Sequence, residues 1–129
     1  MTVPTAPATP STRLVVKATC GTDAPERLNQ ALTVAATAAA SGVDVSLWLT
    51  GDATWMAVPG RAEEFELPHA AAAADLMAAV LAAGRVTVCG QCAARRELTE
   101  ADLVPGAVVR GAAAFVEEVM APATQALVY

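Results

Sequence analysis

Aromatic residues make up only 4% of this 129-residue chain. Its core must therefore be built from Ala, Val and Leu, packed closely because the side chains are small. Basic residues are scarce as well: 8 Lys and Arg stand against 13 Asp and Glu, a formal net charge of -5. A nucleic acid needs an array of cations along its phosphates, so this balance argues against nucleic-acid binding. It argues equally against docking on an anionic membrane. Long apolar runs are missing; the Ala-rich stretch 70–83 is broken by Asp75 and is too short to span a bilayer. The first twelve residues lack a basic start and an apolar run, so they do not read as a signal peptide. Their Thr, Pro and Ala composition reads as a flexible tail. Cysteine is sparse and odd in number, with 3 in all. That pattern points away from a disulfide scaffold and toward a reducing cytoplasm. Gly21-Thr22-Asp23 carries neither GxGxxG nor a Gly-Lys-Ser/Thr ending, so it is not a phosphate loop.

What is present suits one domain over residues 13–129, with 55% hydrophobic and 16% charged residues. The run from Arg13 to Thr19 is rich in Val and reads as a first strand. Asp23, Pro25 and Glu26 form a helix start, with Asp23 as the cap, and Leu28, Leu32, Ala35, Ala36 and Ala39 repeat at helical spacing. Val43 to Leu49 alternates strictly, placing Val43, Val45, Leu47 and Leu49 on one face of a second strand. A long irregular stretch follows, with a short helix near Ala53 to Val58. A second long helix is expected from Pro68 to Gly84. Arg85 to Val88 is a third strand ending at Cys89, and a helical turn then runs through Arg96. Thr99 to Asp102 is a capped turn, a brief strand ends near Arg110, Gly111 to Met120 is a helix, and Ala126 to Tyr129 is a last strand.

Strands alternating with helices imply a parallel sheet covered on both faces. Five strands fit a flavodoxin-like, three-layer α/β sandwich of order 2-1-3-4-5. That order makes the first and third strands neighbours, with a ligand crevice at their carboxyl ends. Cys20 and Cys89 follow those two strands. Asp52, Arg61 and His69 leave from the same edge, so all three cysteines and the only histidine converge on one rim.

Cys89 is the sharpest candidate. It meets a helix start whose unpaired N–H groups favour a thiolate, Arg95 and Arg96 add positive charge, and Gly90 allows close approach. The competing reading makes Cys89 a small apolar residue ending a buried strand. Cys92 has three readings: a resolving thiol for Cys89, a second sulfur-handling thiol, or packing. Cys20 reads more simply as a turn residue, and His69 as a helix-start residue. Together Cys20, Cys89, Cys92 and His69 could supply four zinc ligands, but one close pair plus two singles is not the usual spacing, and no metal is expected. A rim pocket for a small ligand, with the thiols incidental, is the remaining alternative. Trp48 and Trp55 read as packing or oligomer contacts.

Residues 89–98, Cys-Gly-Gln-Cys-Ala-Ala-Arg-Arg-Glu-Leu, place Cys-x-x-Cys directly after a strand, with Arg96 seven residues beyond the first Cys. This segment resembles the DsrE/DsrF-like (YchN/TusD-type) sulfur-relay family. The Gly-led helix from Gly111, the closing segment Ala123 to Tyr129 and the opening strand, loop and helix are similar to it as well. The resemblance covers about residues 13–129. It implies assembly into homotrimers or homohexamers, sulfur donor and acceptor proteins as partners, and no bound cofactor. It also implies a persulfide-carrying cysteine, which maps onto Cys89, while Cys92 matches the second cysteine of YchN-type proteins. The family often carries Gly where Glu97 stands, and an acidic group so near the motif opposes a thiolate.

Overall fold

Val-rich strands joined by Ala-rich helices give a doubly covered parallel sheet. The computed structural model describes Val3 and residues 10–129. The tail expected over residues 1–12 lies largely outside the described residues. The elements are β1 (Arg13–Ala18), α1 (Pro25–Ala40), β2 (Asp44–Leu49), a 3-10 turn (Gly51–Ala57), α2 (Arg61–Glu64) and α3 (Ala73–Ala83). They continue with β3 (Arg85–Cys89), α4 (Gly90–Arg95), a 3-10 turn (Glu100–Asp102), β4 (Ala107–Arg110), α5 (Ala112–Val119) and β5 (Thr124–Val128). Among the described residues no helix is long and apolar enough to cross a membrane.

All strand pairs are parallel, as expected for an α/β sandwich. Within the sheet the order is β4-β3-β2-β1-β5, so β2 lies between β1 and β3, where 2-1-3-4-5 would have made those two neighbours. The cause lies in β2 itself. Val45, Leu47 and Leu49 are buried on one face, and Ser46 and Trp48 are buried on the other. A strand sealed on both faces belongs in the interior of a parallel sheet, not at its edge. The last crossover then returns β5 to the free side of β1.

The main core lies between the sheet and α1 with α3. Val16, Val45, Leu47, Leu49, Val86 and Val88 meet Leu28, Leu32 and Ala35 of α1 and Met77 and Val80 of α3. The opposite face carries α5. Its Phe115 packs edge-on to Trp48, with ring centres 5.3 Å apart. Its Glu118 accepts hydrogen bonds from Ser46 Oγ at 2.8 Å and from Trp48 Nε1 at 2.6 Å. No residue of α5 is fully buried; Val116 is 54% exposed, neighbouring Met120 77% and Val128 of β5 63%.

Two helix starts differ from expectation. Asp23 does not cap α1: its Oδ1 accepts from the Gly21 N–H at 2.7 Å and so closes the turn after β1, leaving Ala24 at the cap without a side-chain bond. The helix expected from Pro68 begins only at Ala73, because His69 takes a left-handed φ of 62° that a continuous helix cannot contain.

Candidate functional site

Alternation along β3 sends Val86 and Val88 into the main core and Thr87 and Cys89 to the α5 face. The register places Lys17, Trp48 and Thr87 in one row across β1, β2 and β3, and Cys89 lies two residues beyond Thr87 toward the carboxyl edge. Lys17 is held over Phe115, with its Nζ 4.7 Å from the ring centre. The cation therefore shares a face with the thiol and is braced by the same helix that caps Trp48.

Cys89 is both the last residue of β3 and the N-cap of α4, and it is half-buried. Its neutral thiol makes no capping hydrogen bond. Ionisation turns the sulfur into the acceptor that a helix start favours. Burial pushes the thiol up, but the Cys92 amide, the Cys92 thiol, the Gln91 amide and the Lys17 ammonium all favour the anion. Together they hold Cys89 below its ordinary value of 9.0.

Cys92 stands one helical turn further on, at the third residue of α4, and is 8% exposed. Its Sγ accepts from the Gly51 N–H at 3.2 Å, so the first residue of the 3-10 turn after β2 is wired to the second thiol. Gly51 needs to be glycine: its φ is 53°, and a methyl there would lie 2.8 Å from the Thr19 carbonyl. A methyl on Gly21 would run into the Asp52 carbonyl, so the turn after β1 lies against the loop after β2.

The two arginines sit elsewhere than beside the Cys89 sulfur. Arg96 ion-pairs with Asp52 at 2.6 Å and donates to the Cys92 carbonyl at 3.0 Å, tying the end of α4 to the 3-10 turn. Arg95 is exposed and donates to Gln91 Oε1 at 3.3 Å. Gly90 opens α4 and is half-buried; a methyl there would meet only ordinary contacts at 3.7 Å. Glu97 takes a φ of 56° as α4 unwinds, with the Leu98 N–H bonded to Ala93 O at 2.9 Å. A left-handed helix stop suits glycine at this position, and the Glu97 side chain is exposed.

The remaining rim residues disperse. Cys20 is buried against the start of α1, with its Sγ 3.8 Å from Ala24 O. Its thiol is raised by burial, with Arg27 opposing and Asp23 adding to the rise. Exposed His69 lines a separate hollow with Glu26, Asn29 and Gln30. Arg61 stacks on Trp55, its guanidinium carbon 4.2 Å from the ring centre, above a hollow of about 220 Å³ also lined by Thr22, Asp52, Glu64 and Phe65. Cys20, Cys89, Cys92 and His69, the four residues weighed as zinc ligands, are not brought together: among the described residues no group of three or more His, Cys, Asp or Glu is placed to hold a metal. The sequence reading missed Lys17 and Gly51. A lone charge inside the apolar strand Arg13–Ala18 was the available signal for Lys17; Gly51 offered none.

Fold and site together define a three-layer α/β protein that presents a helix-start dithiol at the carboxyl edge of a parallel sheet. The profile of the DsrE/DsrF-like family matches residues 13–121, and the chain belongs to that family. Among solved structures it is similar to the ychN protein from E. coli, with 18% identity and a TM-score of 0.75 over 91% of this chain and 98% of that one. It is also similar to MTH1491, a protein of unknown function from Methanobacterium thermoautotrophicum, with 10% identity and a TM-score of 0.66 over 91% and 98% of the two chains. No curated protein sequence matches the chain.

Proposed function

We propose that this protein is a persulfide carrier, or sulfurtransferase, of a reducing cytoplasm, and that Cys89 carries the sulfur. The observation behind this reading is a half-buried thiol at a helix start, faced by two amides, a second thiol and a lysine, and held below its ordinary value. The Cys89 thiolate attacks the outer sulfur of a donor persulfide; the donor leaves as its thiolate, and the outer sulfur stays on Cys89. An acceptor thiolate then attacks that outer sulfur and releases Cys89. The α4 amides and Lys17 hold the charge through both steps. Arg96, closed on Asp52, keeps α4 against the loop that follows β2.

Donor and acceptor are sulfur-handling proteins under this reading, and the carrier is a homotrimer or homohexamer. The exposed apolar residues Val116, Met120 and Val128 on the α5 and β5 side support self-association. Incubation with a small persulfide donor, followed by intact-mass measurement, should add one sulfur atom to a Cys92→Ser chain, in which Cys89 has no neighbouring thiol, and none to the double variant that also carries Cys89→Ser. Equal loading of the two would remove Cys89 as the carrier. The hollow under Trp55 and Arg61 favours a second reading, a small-ligand module. It ranks behind the first because about 220 Å³ is below the usual range for ligand sites. A ligand that raises the melting temperature equally before and after thiol alkylation would favour this second reading.

A further inference from the structure

Cys92 has features that simple carriage of sulfur by Cys89 does not use. It is nearly sealed from solvent at 8% exposure, so external donors and acceptors have little access to it. Yet it is not inert packing, because the Gly51 amide points at its sulfur from 3.2 Å. A backbone N–H directed at sulfur fixes the direction of the side chain. The loop that supplies this amide is fixed: Gly51 adopts a left-handed φ of 53°, and the next residue, Asp52, is ion-paired to Arg96 of the α4 end. The reactive partner in reach of Cys92 is Cys89. The N-cap and the third helical residue face each other across one turn, the neighbourhood a disulfide needs, with Cα separations of roughly 4.4–6.8 Å. The Cys92 thiol is also among the groups that interact with the Cys89 sulfur.

We propose that Cys92 discharges the persulfide on Cys89 as hydrosulfide, which makes the protein a sulfide-releasing persulfide reductase as well as a carrier. The proposal rests on Cys89 being the residue that loads sulfur. In the discharge step the Cys92 proton passes to the outer sulfur of the Cys89 persulfide anion. The Cys92 thiolate, held by the Gly51 amide, attacks the inner sulfur, which is Cys89 Sγ. The Cys89–Cys92 bond forms, the bond between inner and outer sulfur breaks, and the outer sulfur leaves as hydrosulfide with that proton. The transferred sulfur gains two electrons, and the two cysteines lose two in becoming a disulfide. One discharge needs no outside reductant. A second requires a dithiol reductant to reopen the disulfide, so a dithiol-exchange reaction must follow this one. The fate of the sulfur is then a competition. An acceptor thiol that arrives first takes the outer sulfur; without one, Cys92 releases it.

The test uses the full chain, reduced, desalted and kept anaerobic, with inorganic polysulfide as the probe. Intact mass is read without reductant, and free sulfide is measured in the filtrate. The wild type should lose two hydrogens by mass and release sulfide in step with disulfide formation. Cys92→Ser and Cys92→Ala should instead keep one extra sulfur and release only the shorter polysulfide or hydrosulfide that loading displaces, which is the background to subtract from the wild type. The presence of the loaded species in either variant shows that its site has folded. Retention of the extra sulfur by the wild type, without sulfide, would overturn the discharge and leave Cys89 as a carrier. Loading of Cys89→Ser to the level of Cys92→Ser would instead overturn the carrier reading, and the discharge with it. No loading of any form overturns both.

Discussion

The two faces of the sheet are built differently. Against α1 and α3, the strands bury Val16, Leu47, Leu49 and Val88 completely among Leu28, Leu32 and Val80. Against α5 the contact is narrow and polar: a tryptophan edge, a carboxylate shared by Ser46 and Trp48, and a lysine over a phenylalanine. The first face supplies the hydrophobic stabilisation that a small domain needs. The second holds the Cys89 thiol and leaves apolar side chains uncovered. The fold's stabilisation and the proposed chemistry thus fall on opposite sides of one sheet, and substitutions on the two sides should behave differently.

The largest effect is expected on the first face. Leu47→Ala should destabilise the protein by about 2–5 kcal/mol in denaturant melts, since it opens a cavity in a sealed core. Glu118→Ala, on the second face, should cost less, about 1–3 kcal/mol, by leaving the buried Trp48 N–H without its acceptor. A loss as large as that of Leu47→Ala would mean that both faces carry the fold equally.

Lys17→Met should leave stability nearly unchanged while raising the Cys89 pKa. Alkylation near neutral pH should slow by about two- to five-fold, as expected for loss of a screened charge worth under about 1 kcal/mol. The same thiol predicts a pH trend. Its folded pKa is depressed, so its contribution to stability is complete above the unfolded value near 9.0 and is lost as pH falls through the folded pKa. The melting-temperature gap between wild type and Cys89→Ser should therefore widen in favour of the wild type as pH rises toward 9.0. The smallest effect on chain stability belongs to Val116→Ser with Met120→Ser, within about 0.5 kcal/mol per site for the subunit. The same pair should lower the molecular mass seen by light scattering if this side joins subunits.

The position of Cys89 was readable from the sequence because a β-branched run stops at it and a glycine follows. The alternating elements likewise gave the parallel sheet. The place of β2 was hidden, since Ser46 and Trp48 look solvent-facing until a glutamate 70 residues away from Trp48 satisfies them. The rim was only partly readable. Arg95, Arg96 and His69 are close to the motif in sequence or in chain topology, but side-chain direction depends on partners such as Asp52 that sequence spacing does not reveal. Lys17 is remote in sequence and reaches the thiol's face only through strand register.

Gly21 has one more consequence. Its bare backbone sets the clearance between the turn that leaves β1 and the peptide at Asp52, and Asp52 follows directly on the amide that touches Cys92. A single methyl at position 21 would act as a wedge. It would lever the neighbouring peptide outward and detune the dithiol from a distance, with both sulfurs and their cation chemically intact.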